Sequence, residues 1–229
     1  MLIVLPLLLL CYGVGNIQCS TVHENRQDFQ SLLKFKQGIT DPKGALSNWT
    51  INTHFCRWNG VDCTLTRPWR VMELNLSGMG LVGQVSSSIG NLTFLAALDL
   101  SNNSFTGPLP ILHSLQHLVI FYVNNNQLQG AIPDTLTNSS TLAYVDLSVN
   151  LLVGSIPRSI SSLSRLSYLN LKTNQLEGSI PDGIANLSNT LTYLLLGGNS
   201  FVGTIPSSIG SLTKLERLEL QNNNLKVLG

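Results

Sequence analysis

The sequence predicts a curved α/β solenoid, with parallel strands on its concave face and a disulfide cap at its N-terminal end. Three observations carry that expectation. An asparagine recurs every 23 to 25 residues after an apolar-x-apolar segment, a Gly-x-Ile-Pro motif returns at the same interval, and a non-repeating N-terminal stretch holds two closely spaced cysteines.

The chain begins MLIVLPLLLL, an apolar run too short to span a bilayer, and continues with the small and polar residues CYGVGNIQCS. This pattern predicts a secretory signal peptide over 1–19, cut after Gly15 or Cys19, although no Lys or Arg follows Met1. An oxidising compartment then allows Cys56 and Cys63 to form a disulfide, with Cys19 kept or lost according to the cut. Sequons at Asn48, Asn75, Asn91, Asn102, Asn138 and Asn186 suit the same compartment as glycosylation sites. A net charge of +1 over 229 residues gives no electrostatic case for nucleic acid.

Residues 24–66 read as a capping domain. Phe29, Leu32, Leu33, Phe35 and Lys36 give a helix with a wide apolar face, and Asp41-Pro42-Lys43-Gly44 stops it. A loop closed between Cys56 and Cys63 and carrying Trp58 suits the cover that the first repeat needs.

Residues 71–229 hold about seven repeats, the last incomplete. LDLSNNSFTG (Asn103), YVNNNQLQG (Asn126), VDLSVNLLVG (Asn150), LNLKTNQLEG (Asn174), LLLGGNSFVG (Asn199) and LELQNNNLK (Asn223) align, and LNLSGMGLVG keeps the register with Met79 at the asparagine position. In each, alternation predicts a short strand whose apolar pair, such as Leu98/Leu100, Val145/Leu147, Leu169/Leu171 or Leu218/Leu220, enters a shared core. One repeat cannot bury these residues alone, so stacking supplies the burial at about 1.5–3 kcal/mol per side chain. The asparagine amides are expected to partner backbone groups at the turn, and Met79 to forgo that bond. In LVGSIP (152–157) and LEGSIP (176–181), Gly should turn the chain, Ile enter the core and Pro hold its own segment extended and free of helix, with the SSIGNL and SSIGSL pieces that follow forming convex-side turns or single helical turns. The chain ends NNNLKVLG, where Val227 stands at the expected repeat glycine, so no C-terminal cap is expected and the last repeat reads as cut short.

Catalytic patterns are weak. Gly78, Gly80 and Gly83 match G-x-G-x-x-G with Asp99 about 20 residues on, but QVSSSIG offers no long helix to receive a pyrophosphate. SLLK and SLTK lack the companion motifs of acyl-transferring enzymes, and His113 and His117 lack further metal ligands. No cofactor, no metal and no enzymatic activity are expected of this chain.

Between the core positions, outward residues form columns across the strands. One runs Glu73, Ala97, Ile120, Tyr144, Tyr168, Tyr193, Arg217; its neighbour runs Asn75, Asp99, Tyr122, Asp146, Asn170, Leu195, Glu219; Lys172 belongs to a third. Aromatic rings among acids and amides suit recognition of a peptide or glycan, so Tyr122, Tyr144, Asp146, Tyr168, Asn170, Lys172, Tyr193 and Arg217 are the candidate ligand-binding residues. The competing reading is that the tyrosines pack on each other and cover the sheet.

The pattern LxxLxxLxLxxNxLxGxIPxxIGxL over 71–229, with Trp49, Cys56, Trp58, Gly60, Val61 and Cys63 before it, resembles the ectodomains of plant leucine-rich-repeat receptor-like kinases, the subfamily of pathogen-sensing receptors included. The resemblance implies a second short sheet beside the Gly-x-Ile-Pro motifs and a right-handed superhelical twist. It implies an extracellular module at the cell surface that binds a peptide, glycan or microbial pattern together with a co-receptor kinase, membrane attachment and kinase activity belonging to segments outside this chain. The alternative is a secreted inhibitor similar to polygalacturonase-inhibiting proteins.

Overall fold

The computed structural model describes residues 25–112, 114–187 and 189–226. The predicted signal peptide, Cys19, His113 and Val227 lie outside these residues.

The cap starts with helix α1 (Arg26–Gln37). Asn25 is its N-cap, the side-chain Oδ1 accepting from the Asp28 amide at 2.8 Å, and Gly38 closes its end. Leu32 and Phe35 are fully buried, while Lys36 turns its ammonium onto the carbonyls of Leu46 (2.8 Å) and Trp49 (3.1 Å). Trp49 and Trp58 stack with centroids 5.1 Å apart, and the Cys56–Cys63 disulfide closes the loop between them and the first strands. Cap and repeats are joined by one buried ion pair. Asp28 has no exposed surface and accepts from Nε and Nη2 of Arg70, each at 3.0 Å, and from the Val71 amide at 2.8 Å. Removing either partner of such a pair strands a charge, a loss of about 3–5 kcal/mol.

The concave sheet has eight strands. Val61–Cys63 from the cap pairs antiparallel with Val71–Asn75, and six parallel strands follow, from Ala97–Asp99 through Ile120–Tyr122, Tyr144–Asp146, Tyr168–Asn170 and Tyr193–Leu195 to Arg217–Glu219. A second eight-stranded sheet runs beside it in the same fashion: Ile39–Thr40 pairs antiparallel with Val82–Gln84, and parallel strands continue from Ser104–Pro108 to Asn224–Lys226. The cap therefore supplies the first strand of both sheets and leaves neither N-terminal edge open. Between the sheets lies one continuous core in which Leu74, Leu76, Leu98, Leu100, Phe105 and Phe121 are fully buried.

The asparagines stitch consecutive repeats together. Asn150, 6% exposed, donates to Val123 O of the preceding repeat (3.0 Å) and to Leu147 O of its own (3.1 Å), while its Oδ1 accepts from the Leu128 amide of the preceding repeat (3.0 Å). Asn103, Asn126, Asn174, Asn199 and Asn223 repeat the pattern. Each amide thus partners a donor and acceptors that the irregular turn would otherwise bury unpaired. Met79, at the corresponding place, instead packs against the core.

One expectation is sharpened and one needs correction. Each N-cap proline itself stays extended, and the expected single helical turn begins directly after it. Pro133, Pro157 and Pro206 stand at the N-caps of 3-10 turns, and their carbonyls accept from Leu136, Ile160 and Ile209 at 3.0 Å. A ring with φ near −60° is already set for a helical start. The last two repeats also differ, since Leu218 is 39% exposed and Ile205 36% exposed, whereas Leu169 and Ile180 at equivalent places are buried. Among the described residues no further repeat stacks against the Leu218 strand.

The turn after each concave strand places one residue at positive φ, just before the stitching asparagine. Asn102, Asn125, Gly198 and Asn222 tolerate this, but Val149 and Thr173, each at φ 53°, are β-branched and carry the full steric penalty of about 1–2 kcal/mol; Val149 is the wholly apolar case. Its side chain is 43% exposed, so little packing depends on it. Val149→Asn should therefore raise the unfolding free energy by about 1 kcal/mol in urea titrations. An unchanged or lowered midpoint would contradict this strain.

Candidate ligand-binding face

Strand register decides which outward residues meet. Tyr144, Tyr168 and Tyr193 are Cα partners in neighbouring parallel strands, as are Asp99, Tyr122, Asp146 and Asn170 in the adjoining row. The two columns read from the sequence are therefore rows of the sheet, and the tyrosines lie side by side. The Tyr168 and Tyr193 rings are 5.8 Å apart at an interplanar angle of 46°, and Tyr144 is 41% exposed. Packing and exposure coexist: the rings support one another and still present faces to solvent.

The polar residues among them are less free than their types suggest. Asp146 Oδ1 accepts from the Ser148 amide (3.0 Å) and hydroxyl (2.6 Å), and its Oδ2 accepts from Asn170 Nδ2 (3.0 Å) and Tyr168 Oη (3.3 Å). Asn170, 9% exposed, spends its carbonyl on the Lys172 amide (3.2 Å). Asn75 and Asp99 accept from Ser77 and Ser101 in the same way, so this row holds the chain in its turn as each strand ends. Asn170 and the buried Leu195 offer little surface to a ligand, whereas the tyrosines do.

Burial, reinforced by the charge of Asp146 and then by Tyr144 and Asp99, raises the Tyr122 phenol above its usual range. Burial and Asp146 do the same to Tyr168, against an opposing hydrogen bond with Asn170. Both hydroxyls therefore stay protonated and able to donate.

Lys172 and Arg217 converge on Glu219, which was placed in a column from sequence but not among the candidate residues. Gly197 stands in the intervening repeat, where a Cβ would meet Gln221, itself a donor to Glu219. Tyr193 donates to Glu216 at 3.2 Å. Hydrogen bonds from Lys172 first, then Gln221 and Arg217, hold the Glu219 carboxyl at about 2 against a smaller opposing desolvation.

Four further sites can be placed. Asn91, Asn138 and Asn186 are exposed and sit in 3-10 turns at equivalent points of alternate repeats. Asn48, by contrast, donates its amide to Arg57 O (3.0 Å) and Asn59 Oδ1 (3.1 Å). The glycine motif at Gly78, Gly80 and Gly83 leads into a strand and a five-residue 3-10 turn, with no α-helix to receive a phosphate. No helix among the described residues is long and apolar enough to cross a membrane.

A carboxyl depressed by its folded surroundings stabilises the fold above its unfolded pKa, near 4.5, and that contribution disappears as pH falls towards about 2. The melting-temperature difference between the unsubstituted protein and Glu219→Gln should be constant above about pH 6 and shrink to nothing near pH 2. A difference that does not vary with pH would remove Glu219 from the ion-pair network.

Comparison with known proteins agrees with this architecture. Residues 25–64 match the family described as Leucine rich repeat N-terminal domain, residues 116–176 match Leucine rich repeat, and residues 94–115 and 190–212 match Leucine Rich Repeat. The structure is similar to the leucine-rich-repeat ectodomain of GASSHO1/SCHENGEN3 from Arabidopsis thaliana, solved with CASPARIAN STRIP INTEGRITY FACTOR 2, at TM-score 0.81 and 35% identity over 86% of this chain and 24% of that one. It is similar to the Arabidopsis receptor kinase HAESA, solved with the peptide hormone IDA and the co-receptor SERK1, at TM-score 0.79 and 36% identity over 86% and 33%. The BIR2 ectodomain from Arabidopsis thaliana aligns at TM-score 0.68 and 33% identity over 75% of this chain and 92% of its own. The first curated relatives it matches are receptor-like protein kinases of Arabidopsis thaliana, and the chain spans about a tenth of their length, 10% and 11%. With its cap, its repeats and its two parallel sheets, the chain belongs to the leucine-rich-repeat ectodomains of plant receptor kinases.

Proposed function

We propose that the chain is an extracellular recognition module that binds an extended peptide along the concave tyrosine rows and engages a co-receptor kinase through a lateral surface of the solenoid. The observation that carries this reading is the register of Tyr144, Tyr168 and Tyr193, with the exposed ring of Tyr144 in the row and Tyr122 beside it. Aromatic side chains bring large contact area at small conformational cost, and hot spots are enriched in Tyr. The peptide hormone IDA bound to HAESA supports the ligand class, and SERK1 beside it supports the co-receptor. Secretion and attachment to a membrane-borne kinase belong to the same reading. Oligosaccharides on Asn91, Asn138 and Asn186 would stand on the 3-10 turns and leave the tyrosine rows open, whereas one on Asn75, beside Asp99, would cover the N-terminal end of the row that holds Tyr122.

The test is capture from the small-peptide fraction of plant extracellular fluid, comparing the glycosylated protein with a Tyr144→Ala/Tyr168→Ala/Tyr193→Ala variant of equal melting temperature. Peptides retained by the unsubstituted protein should bind the variant at least about thirtyfold more weakly, the loss of one aromatic hot spot or more. Equal retention would place the contact elsewhere.

A further inference from the structure

The concave face is electrically lopsided in a chain whose formal net charge is only +1. Its cations, Lys172 and Arg217, both lie on the C-terminal side and share Glu219, whose single charge balances one of the two. On the N-terminal side the outward positions hold Asp62, Glu73, Asp99 and Asp146, spread over four strands, and none of them has a cationic partner within salt-bridge distance among the described residues. Arg70, the nearest cation by sequence, is committed to buried Asp28.

Tyr122 and Tyr144 stand among these acids, whereas Tyr168 lies on the strand that leads to Lys172. Register puts Tyr122 between Asp99 and Asp146 in one row, with Tyr144 and Tyr168 in the row alongside. Carboxylates alone would favour any diffuse positive charge. Carboxylates flanking phenol faces favour a cation on an apolar stem, because the stem lies on the ring while the charge meets both the ring quadrupole and the acid. Asp99 and Asp146 are two strands apart, about 10 Å. A peptide in the polyproline II form turns once every three residues and rises about 3.1 Å per residue, so basic side chains three residues apart lie on one face and match that interval.

Resting on the peptide-binding reading above, we infer that the N-terminal half of the concave face docks a basic stretch of the peptide, with Lys or Arg side chains three residues apart meeting Asp99 and Asp146 across Tyr122, and Glu73 adding to the attraction. The ligand is then polar in its orientation: its basic stretch lies toward the cap and its uncharged or acidic part toward Lys172 and Arg217.

Fluorescence anisotropy with a labelled Gly-Ser-Lys-Gly-Ser-Lys-Gly-Ser peptide tests this directly, against the same peptide with Glu in place of Lys. The lysine probe should bind the full glycosylated chain. A Glu73→Gln/Asp99→Asn variant, which keeps the acceptor for the Ser101 amide, should bind it at least tenfold more weakly and with a shallower dependence on salt. An Asp134→Asn/Asp182→Asn variant, altered on the convex 3-10 turns, should stay within twofold of the unsubstituted protein. No binding of the lysine probe, equal binding of the glutamate probe, an unaffected Glu73/Asp99 variant, or an equal loss in the convex variant would each overturn the inference. Captured peptides that depend on the tyrosine rows yet lack basic residues three apart would overturn it too, while leaving the peptide-binding reading in place. Conversely, lysine-probe binding with no captured peptide would separate the charged surface from that reading.

Discussion

From Asn103 onward, every turn of this solenoid depends on one asparagine side chain bridging two repeats. A strand that ends every 24 residues or so must turn its backbone through the interior, where peptide groups have no regular partners. From Asn103 to Asn223 the same amide answers this, donating to the carbonyls of its own strand and the preceding one and accepting an amide from the preceding repeat. Leucine burial supplies most of the free energy, but it is non-directional and would accept slipped stacking. The asparagine fixes the offset, and with it the register that sets Tyr144 beside Tyr168 and Tyr193.

Function follows from what the stitching leaves free. With inward positions committed to the core and the turn residues to one another, the outward rows of the concave sheet can vary without disturbing the stack. Even there the freedom is partial. Asp146 both holds the turn at Ser148 and shapes the charge around Tyr122, so a substitution chosen to alter binding would also disturb the backbone. The tyrosines carry no such second duty through hydrogen bonds to the main chain, which makes them the better carriers of selectivity.

The periodic parts of the fold were legible in the sequence because they rest on spacing. The helix over Phe29 to Lys36, the columns of Tyr144 and Tyr122, and the role of the asparagines all came from residue type at a fixed interval. The second sheet followed only from family resemblance, since its strands, such as Leu151–Gly154, have no distinct alternation of their own. What spacing could not reveal was long-range pairing. Asp28 lies 42 residues from Arg70, and an acid on the buried side of an apolar helix was the single clue. Lys172 reaches Glu219 from two repeats away, a pairing that no local spacing marks. Leu218 was assigned to the core by analogy with Leu169, yet core membership depends on a neighbour stacking against it, not on residue type.

Amide hydrogen exchange across an Asn150→Ala substitution tests the stitching most directly. The Leu128 amide donates to Asn150 Oδ1 from the preceding repeat, more than twenty residues away in sequence. If the asparagine couples repeats, its loss should speed exchange at Leu128 at least tenfold and weaken protection in the repeats on both sides, while the amides of α1 keep theirs. Protection at Leu128 equal to that of the unsubstituted protein would show that leucine packing alone sets the stack.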